Sequence, residues 1–288
     1  MSLDHPRPSV IERQSEPPHG DVSSSAAASP LSQLPPPAAT PWRIGPVDIV
    51  ASGANALLHD AHSGAQLRVT GTRLSRDAHY DTAPRDARIR LVRAGAMIAL
   101  RARGLYQLHA SAAVDPRGIA WLFAGPSGVG KSTLAYALAR LRWQILGDDG
   151  VVLEPKKHGA ILHAWREPLQ VSSWLESEFP EISARRHLES TNDPRKRIPM
   201  PADTARHAPL GAIIFPRRAA TDSLTPMSQT MALAELIMQS SQVLLADHET
   251  PSHFARLRDV VASVPSFRLE HTQKQLHAIA DTLRDARP

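Results

Sequence analysis

The chain contains no cysteine. Disulfides, thiol nucleophiles and cysteine-ligated metal are thereby excluded, although this alone assigns no compartment. Aromatic residues amount to only 5% of the sequence and are not interleaved with basic ones, so the formal charge of +5 gives no reason to expect nucleic acid as a partner. No apolar run approaches the roughly 18 residues of a membrane-spanning helix, so no membrane partner is expected and a cytoplasmic location is. The N terminus lacks the basic segment and apolar stretch of a signal peptide. The 14 histidines include no H-x-x-x-H pair, and His158 and His163 stand five apart, which argues against a dedicated zinc site.

Proline, by contrast, is abundant. Nine of the 25 prolines fall within the first 41 residues, among serines and alanines. Such a stretch cannot bury enough apolar surface to offset the entropy of ordering it, so residues 1–40 are expected to be a disordered tail. Residues 41–288 read as α/β, with a mostly β opening layer over 42–108 and a nucleotide-binding core with C-terminal helices over 109–288. Candidate strands in the opening layer are 47–50, 66–70, 89–92, 97–101 and 106–113. A turn at 115–118 leads to an apolar strand at 119–124. Beyond it come a helix to residue 142, a short strand at 143–146, and a hairpin of 151–153 with 160–165. A mixed, charged region over 172–197, a strand at 211–215 and helices at 227–240 and 252–262 follow. A strand at 267–269 and a helix at 272–283 close the chain.

The strongest chemical signal is the run Gly125, Pro126, Ser127, Gly128, Val129, Gly130, Lys131, Ser132, Thr133, which satisfies G-x-x-x-x-G-K-[ST]. Glycines let successive backbone N–H groups turn inward around phosphate oxygens, where a side chain would block approach. Lys131 is suited to the β and γ oxygens and Ser132 to Mg²⁺. The helix that starts there directs its positive end at the anion. ATP is the expected ligand, with GTP left open.

Three further features fall near this loop. Asp148 and Asp149 close a short strand that should run parallel to 119–124, which brings both features to the rim where α/β sheets bind ligands. One carboxylate can serve Mg²⁺, directly or through water, and the other can take a proton from a hydroxyl. Alternatively, one of the pair is a cap or turn residue. His109, on a hairpin whose partners sum to about 233, is expected opposite Ala124 at the mouth of the loop, either to act there or as a structural histidine. A one-residue slip would turn it to the other face. Arg195, Lys196 and Arg197 form a cationic run, either neutralising a phosphoryl group in transfer or lying on solvated surface.

Taken together, His109, the P-loop, a short helix and Ile145-Leu146-Gly147-Asp148-Asp149, with the acidic pair only about 18 residues after Lys131, resemble the HPr serine kinase/phosphorylase family. The resemblance covers about residues 106–153, with a weaker echo from Arg195 to the strand at 211–215. It implies a P-loop core of HPr kinase type and phosphoryl transfer from a nucleoside triphosphate to a serine of a peptide or small protein. In that reading Asp149 is the base, His109 supports it, Ser132 and Asp148 serve the metal, and Arg195 and Arg197 are catalytic cations. Thr133 stands where the bifunctional enzymes usually carry glutamate. The sequence is more similar to the kinase-only relatives of ribosomal peptide pathways, including those of lasso peptides. Two other classes fit the same residues, a P-loop hydrolase or switch that uses water and a nucleotide-binding interaction protein without catalysis. Oligomerisation is left open.

Overall fold

A computed structural model describes residues 42–52, 55–183, 196–199, 205–245, 249–272, 279, 282 and 283. The expected N-terminal tail, Arg195 and most of the expected terminal helix lie outside the described residues.

The opening layer is an antiparallel meander of β1 (Trp42–Ile44), β2 (Val47–Ser52), β3 (Asn55–Asp60), β4 (Gln66–Thr70) and β5 (Arg73–Arg76), in sequence order. Alternation decides its faces: Ala56 and Leu58 of β3 and Leu67 and Val69 of β4 are buried, and the residues between them are more exposed. Asp77 then caps the short helix α1 (Ala78–Thr82) by accepting from the Tyr80 N–H at 2.9 Å.

Here the structure corrects the sequence. Residues 89–92 and 97–101, expected as strands, belong to one helix, α2 (Arg85–Arg101). Its buried residues, Ala87, Leu91, Ala94, Gly95, Ile98 and Arg101, recur at helical spacing. The short apolar runs at 89–92 and 97–101, with Ile89, Val92 and Ile98, gave a strand signal that packing against the meander overrides. A Cβ at Gly95 would fall 2.8 Å from Leu67 Cδ2, so glycine is what allows the helix to lie this close to the sheet. Asp60 lies fully buried beneath α2 and accepts from Arg90 Nε at 3.0 Å and from Ser63.

The core contains a second sheet with strand order β6 (Tyr106–Leu108), β10 (Val151–Pro155), β11 (Ala160–Ala164), β14 (His207–Arg218), β8 (Ala120–Ala124), β7 (Ala110–Val114) and β9 (Gln144–Gly147). Strand β14 is 12 residues long and joins two patterns. Its start pairs antiparallel with β11, and its later part runs parallel to β8 on one side and β16 (Ser266–His271) on the other. Both faces of β8 are covered: Leu122 faces a cluster with Phe215, Leu236 and Leu257, whereas Trp121 and Phe123 face Leu134, Trp143 and Phe179. This is why 119–124 reads as an unbroken apolar run.

Helix α3 (Lys131–Arg140) returns the chain to β9, which pairs antiparallel with β7. Because β7 is itself antiparallel to β8, β9 runs in the direction of β8, as expected, with β7 between them. The β7–β8 hairpin departs from expectation by one residue: Ala110, not His109, stands opposite Ala124. The turn closes at Asp115, whose N–H donates to the Ile119 carbonyl at 2.8 Å, with Gly118 at φ 85°. The tip is thus three residues rather than four, a loop length that favours glycine at its left-handed position. The expected single strand over 106–113 is split at His109, whose N–H leaves the ladder and donates to the Gln239 carbonyl at 2.8 Å.

The two sheets are held together through polar contacts. Buried Gln242 donates to the Met97 carbonyl at 2.7 Å and accepts from the Gln107 N–H at 3.1 Å, tying α2 to β6. No helix among the described residues is long and apolar enough to cross a membrane.

The Asp60–Arg90 pair generates a testable pH dependence. The Asp60 carboxyl is held below its usual range: burial alone would raise it, but the bonds from Arg90 and Ser63 outweigh that effect. Its stabilising contribution is therefore complete above the unfolded carboxylate value of about 3.9 and disappears as pH falls through the lower folded value. Asp60→Asn should cost about 1–3 kcal/mol at pH 7 in urea unfolding, and the difference from wild type should shrink as the pH falls below the unfolded carboxylate value of about 3.9.

Candidate nucleotide site

The parallel strands end on one rim, and the site is built there. Strand β8 runs into the loop at Gly125, β9 into Asp148 and Asp149, β14 ends at Arg218, and β16 ends at His271. A cavity of about 310 Å³ opens at this rim, lined among others by Gly128, Lys131, Ser132, His109, Asp149 and Gln170.

Within the loop, Gly128 and Gly130 take φ of 85° and 102°, values that favour glycine. Gly130 caps α3, and a Cβ on it would sit 3.1 Å from the His271 ring. Buried His271 donates from Nε2 to the Val129 carbonyl at 2.8 Å, fixing the loop from behind. Lys131 is also buried, and its ammonium donates to the carbonyls of Gly125 at 2.7 Å and Pro126 at 3.0 Å. Burial pushes its pKa down, with Asp149 and Asp148 opposing the shift. A cation stripped of water in this way gains more from a phosphate than an exposed lysine would.

The two aspartates have different surroundings. Asp148 is fully buried, with one oxygen accepting from Ser111 Oγ at 2.7 Å and the other from the Gln170 N–H at 3.2 Å. Asp149 takes the left-handed conformation at φ 61° and turns into the cavity. Its Oδ1 lies 3.1 Å from His109 Nδ1, and its Oδ2 accepts from the Gln170 side-chain amide at 2.9 Å. The other His109 nitrogen, Nε2, is 3.3 Å from Lys131 Nζ. Since an ammonium can only donate, Nε2 accepts from it and Nδ1 carries the hydrogen directed at Asp149. Lys131, His109 and Asp149 thus form one connected chain.

The structure therefore brings the P-loop, His109 and Asp149 together at one cavity, although His109 arrives by way of a strand break rather than the expected register. Arg197 lies on β13 (Lys196–Ile198), directly across from Gln170 of β12 (Leu169–Val171), and so on the same face. Its Nε is buried and has no hydrogen-bond partner among the described residues. Sequence reasoning missed Ser111, Gln170, Arg218 and His271. None belongs to a local motif; each is brought in by strand pairing with residues far away in the chain.

A magnesium ion fits this donor set. Among the described residues no group of three His, Cys, Asp or Glu side chains forms a protein-only metal cage. Oxygen from Ser132 and carboxylate charge at the cavity suit a hard cation that keeps its waters and shares phosphate oxygens. Asp148, with both oxygens engaged inside the protein, is placed to supply charge near such an ion rather than to face it across open space.

The fold and the loop together define a P-loop nucleotide-binding protein of mixed α/β architecture. A family model described as ABC transporter matches residues 114–251, a segment that includes the loop and both aspartates. No curated protein matches the chain. Among solved structures, the HPr(Ser) kinase/phosphatase from Coxiella burnetii is similar at 13% identity with a TM-score of 0.33, covering 62% of this chain and 92% of that one. A likeness that distant does not bear on chemistry.

Lys131→Ala should reduce affinity for a non-hydrolysable ATP analogue by about 10- to 100-fold, the worth of a charge-assisted hydrogen bond. Isothermal titration measures the loss, and an unchanged circular dichroism spectrum shows that the fold survives. Wild-type affinity in this variant would place the nucleotide elsewhere.

Proposed function

We propose that the protein is an ATP-dependent kinase that transfers the γ-phosphoryl group to a serine hydroxyl of a peptide or small protein. The observation that carries this reading is the carboxylate of Asp149, held at the P-loop cavity by His109 and Gln170 with both bonds directed at its oxygens. That carboxylate is also linked to the phosphate-binding lysine, which puts a proton acceptor beside the phosphates. Here the same histidine touches both.

In this mechanism Lys131 and the loop N–H groups bind the phosphates, and Ser132 would hold a magnesium ion, with buried Asp148 contributing negative charge. When bound, that ion neutralises phosphate charge and orients the γ-phosphoryl group. The acceptor oxygen approaches phosphorus from the side opposite the leaving diphosphate while Asp149 accepts the hydroxyl proton. His109 keeps the carboxylate aimed and couples its position to that of Lys131. Arg197 and Arg218 supply positive charge at the edge of the site, where charge spreads over the transferring oxygens.

A second reading, an ATP hydrolase using water in place of serine, draws on the ABC transporter match. Acceptor-independent phosphate release at a rate comparable to transfer would favour it.

Asp149→Asn keeps the shape and the hydrogen bond from Gln170 but removes basicity. Single-turnover transfer should fall by about 10²- to 10⁴-fold while MgATP affinity stays within a few-fold of wild type. Transfer at nearly the wild-type rate would remove the base from Asp149 and with it the kinase mechanism.

A further inference from the structure

A second cavity, of about 260 Å³, lies between the opening layer and the core, and its lining includes Asp149. Asp149 therefore borders both this cavity and the nucleotide cavity. The other walls come from the β1–β2 turn, from Arg90, Arg93, Ala94 and Met97 of α2, from Gln107 of β6, and from Trp165 and Glu167. Nothing in the nucleotide mechanism uses these residues.

The turn carrying Asp149 is pressed between the two cavities. A Cβ at Gly150 would meet Trp165 Cδ1 at 2.9 Å and Gln107 Nε2 at 3.0 Å, so the walls of the second cavity close directly on the residue after Asp149. Its far wall is held in place by Gln242, which bonds to both Met97 and Gln107. The cavity is thus a built feature of the way the opening layer docks, with Asp149 in its wall.

Its charges are matched internally. Arg93 pairs with Glu167, which also accepts from Trp165 Nε1 at 2.6 Å, and Arg90 pairs with buried Asp60 at 2.9 Å. A charged ligand of either sign would have to break one of these pairs, a costly exchange for partly desolvated ions. A neutral segment would not. The remaining surface, Ile44, Val47, Ala94, Met97 and the Trp165 ring, suits small apolar groups, and Gln107, whose Nε2 donates to the Leu108 carbonyl at 3.3 Å, adds an uncharged polar group to the wall.

We infer that this second cavity is the acceptor site, and that it takes an uncharged, hydroxyl-bearing peptide segment which enters from the side of the opening layer. The inference rests on the kinase reading. Nucleotide and acceptor then approach Asp149 from separate cavities. The acceptor O–H loses its proton to Asp149, its oxygen forms a bond to the γ-phosphorus of the nucleoside triphosphate, the bond from that phosphorus to the β–γ bridging oxygen breaks, and nucleoside diphosphate leaves on the P-loop side. On this view the opening layer is the part of the molecule that selects the substrate.

The test uses full-length protein, MgATP labelled at the γ-phosphate, and three probes: acetyl-Ala-Ser-Ala-amide and its analogues with Asp or Lys flanking the serine. Hydrogen–deuterium exchange is followed with and without each peptide. The expected result is that the neutral peptide is labelled best and slows exchange in residues 90–97 and 165–167. Met97→Trp, which fills the cavity, should lower kcat/KM for that peptide by at least about tenfold while ATP affinity, measured by titration, reports that the fold and the nucleotide site persist. If the peptide is labelled equally by Met97→Trp and protects neither segment, the acceptor comes from elsewhere and the inference fails while the kinase reading stands. Protection of both segments without any label retains the cavity as a binding site and removes the kinase reading. Preference for either charged peptide, or neither label nor protection with any probe, overturns the inference. Should Met97→Trp lose its fold, the exchange data on wild type decide alone.

Discussion

A carboxylate taken out of water must have its lone pairs met inside the protein, and the site is organised around one that is. Asp148 is fully buried, and it is accommodated by Ser111 from β7 and by the Gln170 backbone from β12. These two bonds fix the turn at the end of β9 to its neighbour β7 and to β12 of the small two-stranded sheet. With that residue anchored inward, the next one is carried outward, in a left-handed conformation that aspartate tolerates better than most side chains. Asp149 therefore reaches the cavity because Asp148 cannot. Gln170 takes part in both placements, its backbone N–H serving Asp148 and its side chain serving Asp149. Removing the Asp148 anchor would disturb the position of the neighbouring carboxylate as well as the charge beneath the phosphate site.

The P-loop depends on the same kind of remote support. Its glycines allow the backbone to curl, but the curl is braced by His271 at the end of β16, which bonds to the Val129 carbonyl and lies against Gly130. Lys131 is held by loop carbonyls on one side and by His109 on the other. His109 in turn is positioned by the break between β6 and β7, where its backbone bonds to Gln239 at the end of α5 (Gln229–Met238). The loop lysine and the Asp149 carboxylate are consequently parts of one hydrogen-bonded unit. A shift in the loop on binding phosphate would be felt at Asp149 through a single histidine.

Much of the core was legible from residue order. The run at 119–124 is apolar at every position because β8 is covered on both faces, and its junction with the glycine loop and the Ala/Leu helix identifies strand, phosphate loop and helix together. The hairpin of β10 and β11 was legible from Lys156 to Gly159, where the turn closes. Residues 89–101 were not, because Ile89, Leu91 and Val92 satisfy a short strand pattern as well as a helix, and only the meander beneath them selects the helix. The hairpin register differed by one because the Asp115 N–H bonds across to the Ile119 carbonyl, which leaves three residues at the tip instead of four. No count of turn residues could anticipate that bond.

By itself the sequence determined the phosphate-binding loop, the lysine within it, the adjacent acidic pair and the α/β order of strand, helix and strand, since each is a local pattern whose chemistry follows from residue type and spacing. Only the tertiary structure decided which aspartate faces the cavity and which is buried, that His109 joins Lys131 to Asp149, and that Gln170, Arg218 and His271 complete the rim. It likewise decided that the opening layer leaves a second cavity behind Asp149. These are contacts between residues about 20 to 140 positions apart, as in His271 with Val129 or Gln170 with Asp149. Their partners are chosen by sheet order and register, which no single stretch of chain encodes.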